Sequence, residues 1–153
     1  MDDAGRVLLC QQSQGHRRWG LPGGKVRGNE SPIHAAVREI RVETGMDVEM
    51  VDLVGLYELC GQGLPDLVIH VFRCRAHGET LNNAPGRICR LSYHDPEDLP
   101  SPMTPTTRMA IAHALAGRSG VISRVDRDAE PEYPDAGDTA DVRSQDIVVG
   151  LAG

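Results

Sequence analysis

Apolar positions fall into short runs whose spacing changes along the chain. Val7-Leu8-Leu9-Cys10 is a continuous apolar block of strand length, and Asp2-Asp3-Ala4-Gly5 before it has turn chemistry. That turn predicts a hairpin whose leading strand is truncated, so one sheet position is expected to stand vacant. Gln11 to Arg18 is polar loop, and Trp19-Gly20-Leu21-Pro22-Gly23-Gly24 is a glycine-rich turn. From Pro32 to Thr44 the period becomes helical, with Ile33, Ala36, Val37 and Ile40 on one side of the wheel. Ser31 suits the N-cap, Pro32 the first helical position and Gly45 the left-handed residue past the end. Val48 to Leu59 and Asp66 to Arg75 are β-rich, joined by a Gly61-Gln62-Gly63 loop. Arg87 to His94 reads as a shorter strand, ended by Asp95-Pro96-Glu97-Asp98-Leu99-Pro100. Thr106 to Ala116 reads as a second helix, burying Met109, Ile111, Ala112 and Leu115.

A chain of 153 residues suits one domain, and with one Phe, one Trp and three Tyr its core must be aliphatic. Between Val125 and Asp146 stand eight acids against Arg127 and Arg143, which accounts for the whole net charge of −6. The expected division is therefore a domain over 1–118 and an acidic tail over 119–153, mostly without structure. The tail reads as solubilising or as an interaction segment, and Ile147-Val148-Val149 could dock as a short strand. A neutral folded part argues against an extended nucleic-acid footprint. No apolar run approaches the roughly 18 residues of a membrane span, and no secretory leader is visible, so a cytoplasmic location is expected. Cys10, Cys60, Cys74 and Cys89 are scattered and read as free thiols.

The candidate chemistry lies in the first helix and the loop before it. Glu39 and Glu43 are four apart, so their carboxylates stack on one flank with no Lys or Arg at i±4 to neutralise them. Taken alone, they could be two solvated acids. Leu21-Pro22-Gly23-Gly24-Lys25 changes the balance, because it sets pliable backbone and a cation just before a third acid, Glu30. Two carboxylates and several waters suit a hard divalent ion, and a lysine beside such an ion is what phosphoryl chemistry uses.

The run GGKVRGNESPIHAAVREIRVETGM resembles the Nudix box, G-x5-E-x7-R-E-U-x-E-E-x-G-U, where U is bulky and apolar. Gly24, Glu30, Arg38, Glu39, Ile40, Glu43, Gly45 and Met46 match eight of nine specified positions. The resemblance extends over about residues 4 to 116 and implies an α/β/α sandwich, of α/β (α+β) class, with a mixed central sheet and two main helices. It further implies Glu39, Glu43 and the Gly23 carbonyl as ligands of Mg²⁺ or Mn²⁺. Arg38 would pair with Glu30 to brace loop against helix, and Gly24, Lys25 and Arg18 would meet the substrate. The implied reaction is water attack on a phosphoanhydride of a small nucleotide, a nucleoside diphosphate linked to another group. A homodimer is only the base-rate expectation.

The ninth position is Val42, where the family carries an acid, and Arg27 stands where many members carry another. Ala84-Pro85-Gly86-Arg87 offers no downstream acid, and Glu79 and Asp95 read as turn residues, which leaves the general base unassigned, with Glu39 a candidate. These departures motivate a rival reading, a nucleotide-binding or regulatory module with weak or no turnover. His34 and His70 are expected to be structural, and Tyr57, Phe72 and Tyr93 to belong to core or rim.

Overall fold

A computed structural model describes residues 1–2, 4–13, 15–77, 88–127 and 146–152. The elements run β1 (Val7–Gln12), β2 (Trp19–Gly20), β3 (Gly23–Lys25), α1 (Pro32–Thr44), β4 (Asp47–Cys60), β5 (Leu67–His77), β6 (Ile88–His94), α2 (Pro105–Leu115), β7 (Val121–Asp126) and β8 (Asp146–Ala152). They form a three-stranded sheet, β2-β1-β6, and a five-stranded mixed sheet, β3-β8-β5-β4-β7. Glu79 and 84–87, considered above for a downstream acid, lie outside the described residues, as does 128–145 of the acidic tail.

Strand alternation sorts the core into two faces. Ile69 and Val71 of β5, with Val54, Tyr57 and Leu59 of β4, join Ala110 and Ile111 of α2. Phe72 and Cys74 turn the other way, onto Ala35, Ala36 and Ile40 of α1. The large sheet therefore lies between the helices, the expected sandwich. Gly55 lets β7 approach β4, since a Cβ there would meet the Val121 carbonyl oxygen at 2.6 Å.

Helix α1 starts and stops as its sequence predicts. Ser31 Oγ accepts from the His34 amide at 3.2 Å, and Gly45 ends the helix at φ 72°. Its buried face is rotated from the expected one: Ile33 is 48% exposed, while Ala35, Glu39 and Glu43 face inward. Two small alanines let the helix sit close to the sheet, and the glutamates turn toward the glycine loop.

Helix α2 departs further. Ala112 and Leu115 are exposed, and the buried face is Thr106, Thr107, Ala110, Ile111 and Ala114. The threonines enter the interior because their hydroxyls are satisfied there. Thr107 Oγ1 accepts from the Leu21 amide at 3.2 Å and from Thr104 Oγ1 at 2.7 Å.

The segment past 118, expected to be mostly without structure, supplies two strands of the large sheet. β7 runs parallel to β4, and β8 lies between β3 and β5. Val121, Ile122 and Val125 are β-formers that composition averaged over the acidic tail conceals. Arg127 follows as a buried clamp: its guanidinium donates to the carbonyls of Gly61 (2.9 Å), Leu64 (3.4 Å) and Pro65 (2.5 Å) in the β4–β5 loop.

Candidate active site

The glycine turn is held from two directions. On the α2 side, the Trp19 amide donates to the Pro102 carbonyl at 2.8 Å, and the Thr104 amide donates to the Trp19 carbonyl at 2.9 Å. On the α1 side, the Gly23 amide donates to Glu43 Oε2 at 2.8 Å. Gly24 lies against Glu39 so closely that a Cβ would meet the carboxylate carbon at 2.5 Å. A side chain at 24 would require the Glu39 carboxylate to move.

Arg38 ties the cluster together. Its Nε donates to Glu30 Oε2 at 3.0 Å, and a second nitrogen donates to Glu30 Oε1. Nη1 donates to Glu39 Oε1 at 2.5 Å, and Nη2 reaches the Lys25 carbonyl at 3.1 Å. The bidentate bond holds the Glu30 carboxyl down at about 2, against an ordinary 4.5, and the same bond raises the Arg38 guanidinium further. Glu30 also accepts from the Arg27 amide at 2.9 Å, which folds the loop back onto the helix start.

The structure thus brings together Gly23, Gly24, Lys25, Glu30, Arg38, Glu39 and Glu43. Glu39 and Glu43 are 6% and 9% exposed, unusual burial for carboxylates. Their oxygens, beside a backbone pressed in without a Cβ, form a donor set that fits a hard divalent cation. Gly23 meets Glu43 through its amide; the expected ligand is its carbonyl. Lys25 is half-buried on β3. Arg18 differs from its expected place in an open loop: it is 6% exposed.

Val42 is 58% exposed, consistent with its place on the wheel away from the core. Asp95 Oδ1 accepts from the Glu97 amide at 2.9 Å, as a turn residue does. Tyr57 and Phe72 are buried and Tyr93 is half-buried. Tyr57 Oη bonds His113 Nδ1 at 2.9 Å, and burial pushes its phenol up to about 12. Cys10, Cys60 and Cys74 are free and buried. Glu58, Cys60 and Asp66, at the β4–β5 loop, bring donor atoms within 4.8 Å of one another, but the two acids are exposed. The sequence reading missed Thr104 and Thr107 as supports of the turn, and a Thr-x-x-Thr pair opening a helix was the signal available.

A sequence profile of the NUDIX domain matches residues 1–114. A MutT-like protein of Streptomyces ambofaciens is 29% identical over 74% of this chain and 70% of its own length. An RNA pyrophosphohydrolase of Saccharophagus degradans is 36% identical over 55 residues, and the match spans only 32% of that protein. Among solved structures, a MutT NUDIX hydrolase of Burkholderia pseudomallei superposes with a TM-score of 0.68 at 32% identity, covering 74% of this chain and 90% of that one. An ADP-ribose pyrophosphatase of Streptococcus suis gives 0.65 at 25% identity, over 82% and 92%. The profile match over most of the chain, on a sandwich of the same fold, makes this protein a member of the Nudix hydrolase family.

Proposed function

We propose that the protein is a metal-dependent pyrophosphohydrolase acting on a nucleoside diphosphate linked to another moiety, such as a nucleoside triphosphate. One observation carries this reading: two buried carboxylates, Glu39 and Glu43, lie against the glycine backbone, Glu43 accepting from the Gly23 amide and Glu39 so near Gly24 that a Cβ there would displace it. Glu39 and Glu43 would hold Mg²⁺ or Mn²⁺, which when bound polarises a phosphoryl group and lowers the pKa of its water. Arg38 orients Glu39 and pins the Lys25 carbonyl, while Glu30 fixes Arg38. The Lys25 ammonium supplies charge for the substrate phosphates. Water adds to phosphorus and the bridging P–O bond breaks, releasing a nucleoside monophosphate or phosphate.

Val42, exposed where the family pattern has an acid, favours a second reading in which nucleotide binds and turnover is weak. A panel of nucleoside triphosphates, nucleotide sugars, ADP-ribose and dinucleoside polyphosphates, assayed with Mg²⁺ and with Mn²⁺, separates the two. The proposal expects metal-dependent cleavage of at least one compound, lost by a factor of 100 or more in Glu43→Gln. Tight binding of a panel nucleotide without product over hours would favour the module instead. The partner in either case is a small nucleotide. Among the described residues no helix is long and apolar enough to cross a membrane.

A further inference from the structure

The only strand paired with β3 among the described residues is β8, in the register Gly23↔Val149, Gly24↔Val148 and Lys25↔Ile147. β8 pairs in turn with β5, setting Val148 beside His70. The glycine segment is thus joined to the large sheet through residues that follow it by more than 120 positions. Helix α1 grips the same segment from its other edge: the Gly23 amide is used by Glu43 and the Lys25 carbonyl by Arg38. In an antiparallel ladder alternate residues turn both polar groups toward the partner. With Gly23 and Lys25 directed toward α1, Gly24 and Val148 are left as the pair that exchanges both bonds.

We propose that β8 is a positioning strand for the active site, which sets the register of Gly23–Lys25 against Glu39 and Glu43 through the Gly24–Val148 backbone pair. The part of this that concerns metal rests on the function proposed above. Register matters here for a steric reason. A slip of one residue moves the strand by about 3.4 Å and turns each side chain to the opposite face. Gly24 is the position at which a Cβ would strike the Glu39 carboxylate, so Lys25 in its place would displace that carboxylate. The connection is short enough to be made within one chain. β7 and β8 are separated by β4 and β5, three strand spacings or roughly 14 Å. A chain of nineteen residues can reach several times that distance when extended.

Val148→Pro tests the pairing, because it removes the amide that Gly24 would accept from and leaves the other β8 donors intact. Val148→Ala keeps that amide and is the conservative control. The expected result for Val148→Pro is at least tenfold faster hydrogen exchange in the Gly23–Lys25 segment and at least tenfold weaker Mn²⁺ binding by calorimetry. Val148→Ala stays within twofold of wild type in both. Exchange and Mn²⁺ binding both within twofold of wild type in Val148→Pro would overturn the proposal. Should Val148→Pro fail to fold, exchange in the unaltered protein decides: 23–25 and 146–152 are expected to share their protection. Protected 23–25 beside a 146–152 that exchanges as a free peptide would overturn it. The exchange readout needs neither metal nor substrate, so it stands if no panel compound is hydrolysed.

Discussion

Gly24 shows how little room the site leaves. Its neighbour is the Glu39 carboxylate, which Arg38 also holds, so Gly24→Ala must displace one or the other. A shift of about 1 Å at a reacting centre costs on the order of 100-fold in rate. We expect a kcat loss of that size for Gly24→Ala, measured by steady-state kinetics, with far-ultraviolet circular dichroism unchanged. Glu30 carries a pH signature. Its folded-state carboxyl titrates near 2 and its unfolded value is 4.5, so its contribution is complete above 4.5 and is lost as pH falls toward 2. Melting temperatures of wild type and Glu30→Gln, followed from pH 7 to 2, should therefore converge across that window. Parallel curves would show that the Arg38 pair adds no stability. The Glu30, Arg38, Glu39 and Glu43 cluster was legible because its spacing follows from one helix and one loop. The burial of Arg18 was not, since it depends on which strand the loop enters.

Among elements, those set by local chemistry were readable and those set by partners were less so. Ser31, Pro32 and Gly45 mark α1 within the sequence itself, and its limits follow. The inner face of α2 depends on hydroxyls that bond a turn 86 residues away, so a search for apolar periodicity selects Leu115 in place of Thr107. β7 is signalled by its valines and isoleucine, but the parallel pairing with β4 that orders it is a long-range event. Three carbonyls bonded by one buried guanidinium make Arg127→Met destabilising by roughly 3 kcal/mol, about 6–12 °C in a chain of this size. Thermal denaturation measures the loss, and a shift under 2 °C would mean that the loop holds its shape without the clamp.

Across the whole molecule, one transverse row links the site to the far edge of the sheet: Gly24, Val148, His70, Leu56 and Ile122 are successive partners over β3, β8, β5, β4 and β7. Two of its five positions, Val148 and Ile122, lie beyond 118, in the part that composition alone assigns to a tail. The sandwich was legible from element order, and Ile147-Val148-Val149 was legible as a strand that could dock; its place between β3 and β5 was not, because that depends on edges brought together from distant parts of the chain. On the function proposed above, Glu39 and Glu43 act as one cation site beneath the glycine backbone. Isothermal titration of Mn²⁺ into wild type, Glu39→Gln, Glu43→Gln and the double variant tests it most directly. Binding should be at least tenfold weaker in each single variant with little further loss in the double, as expected for two ligands of one ion. Mn²⁺ affinity unchanged in both single variants would contradict it.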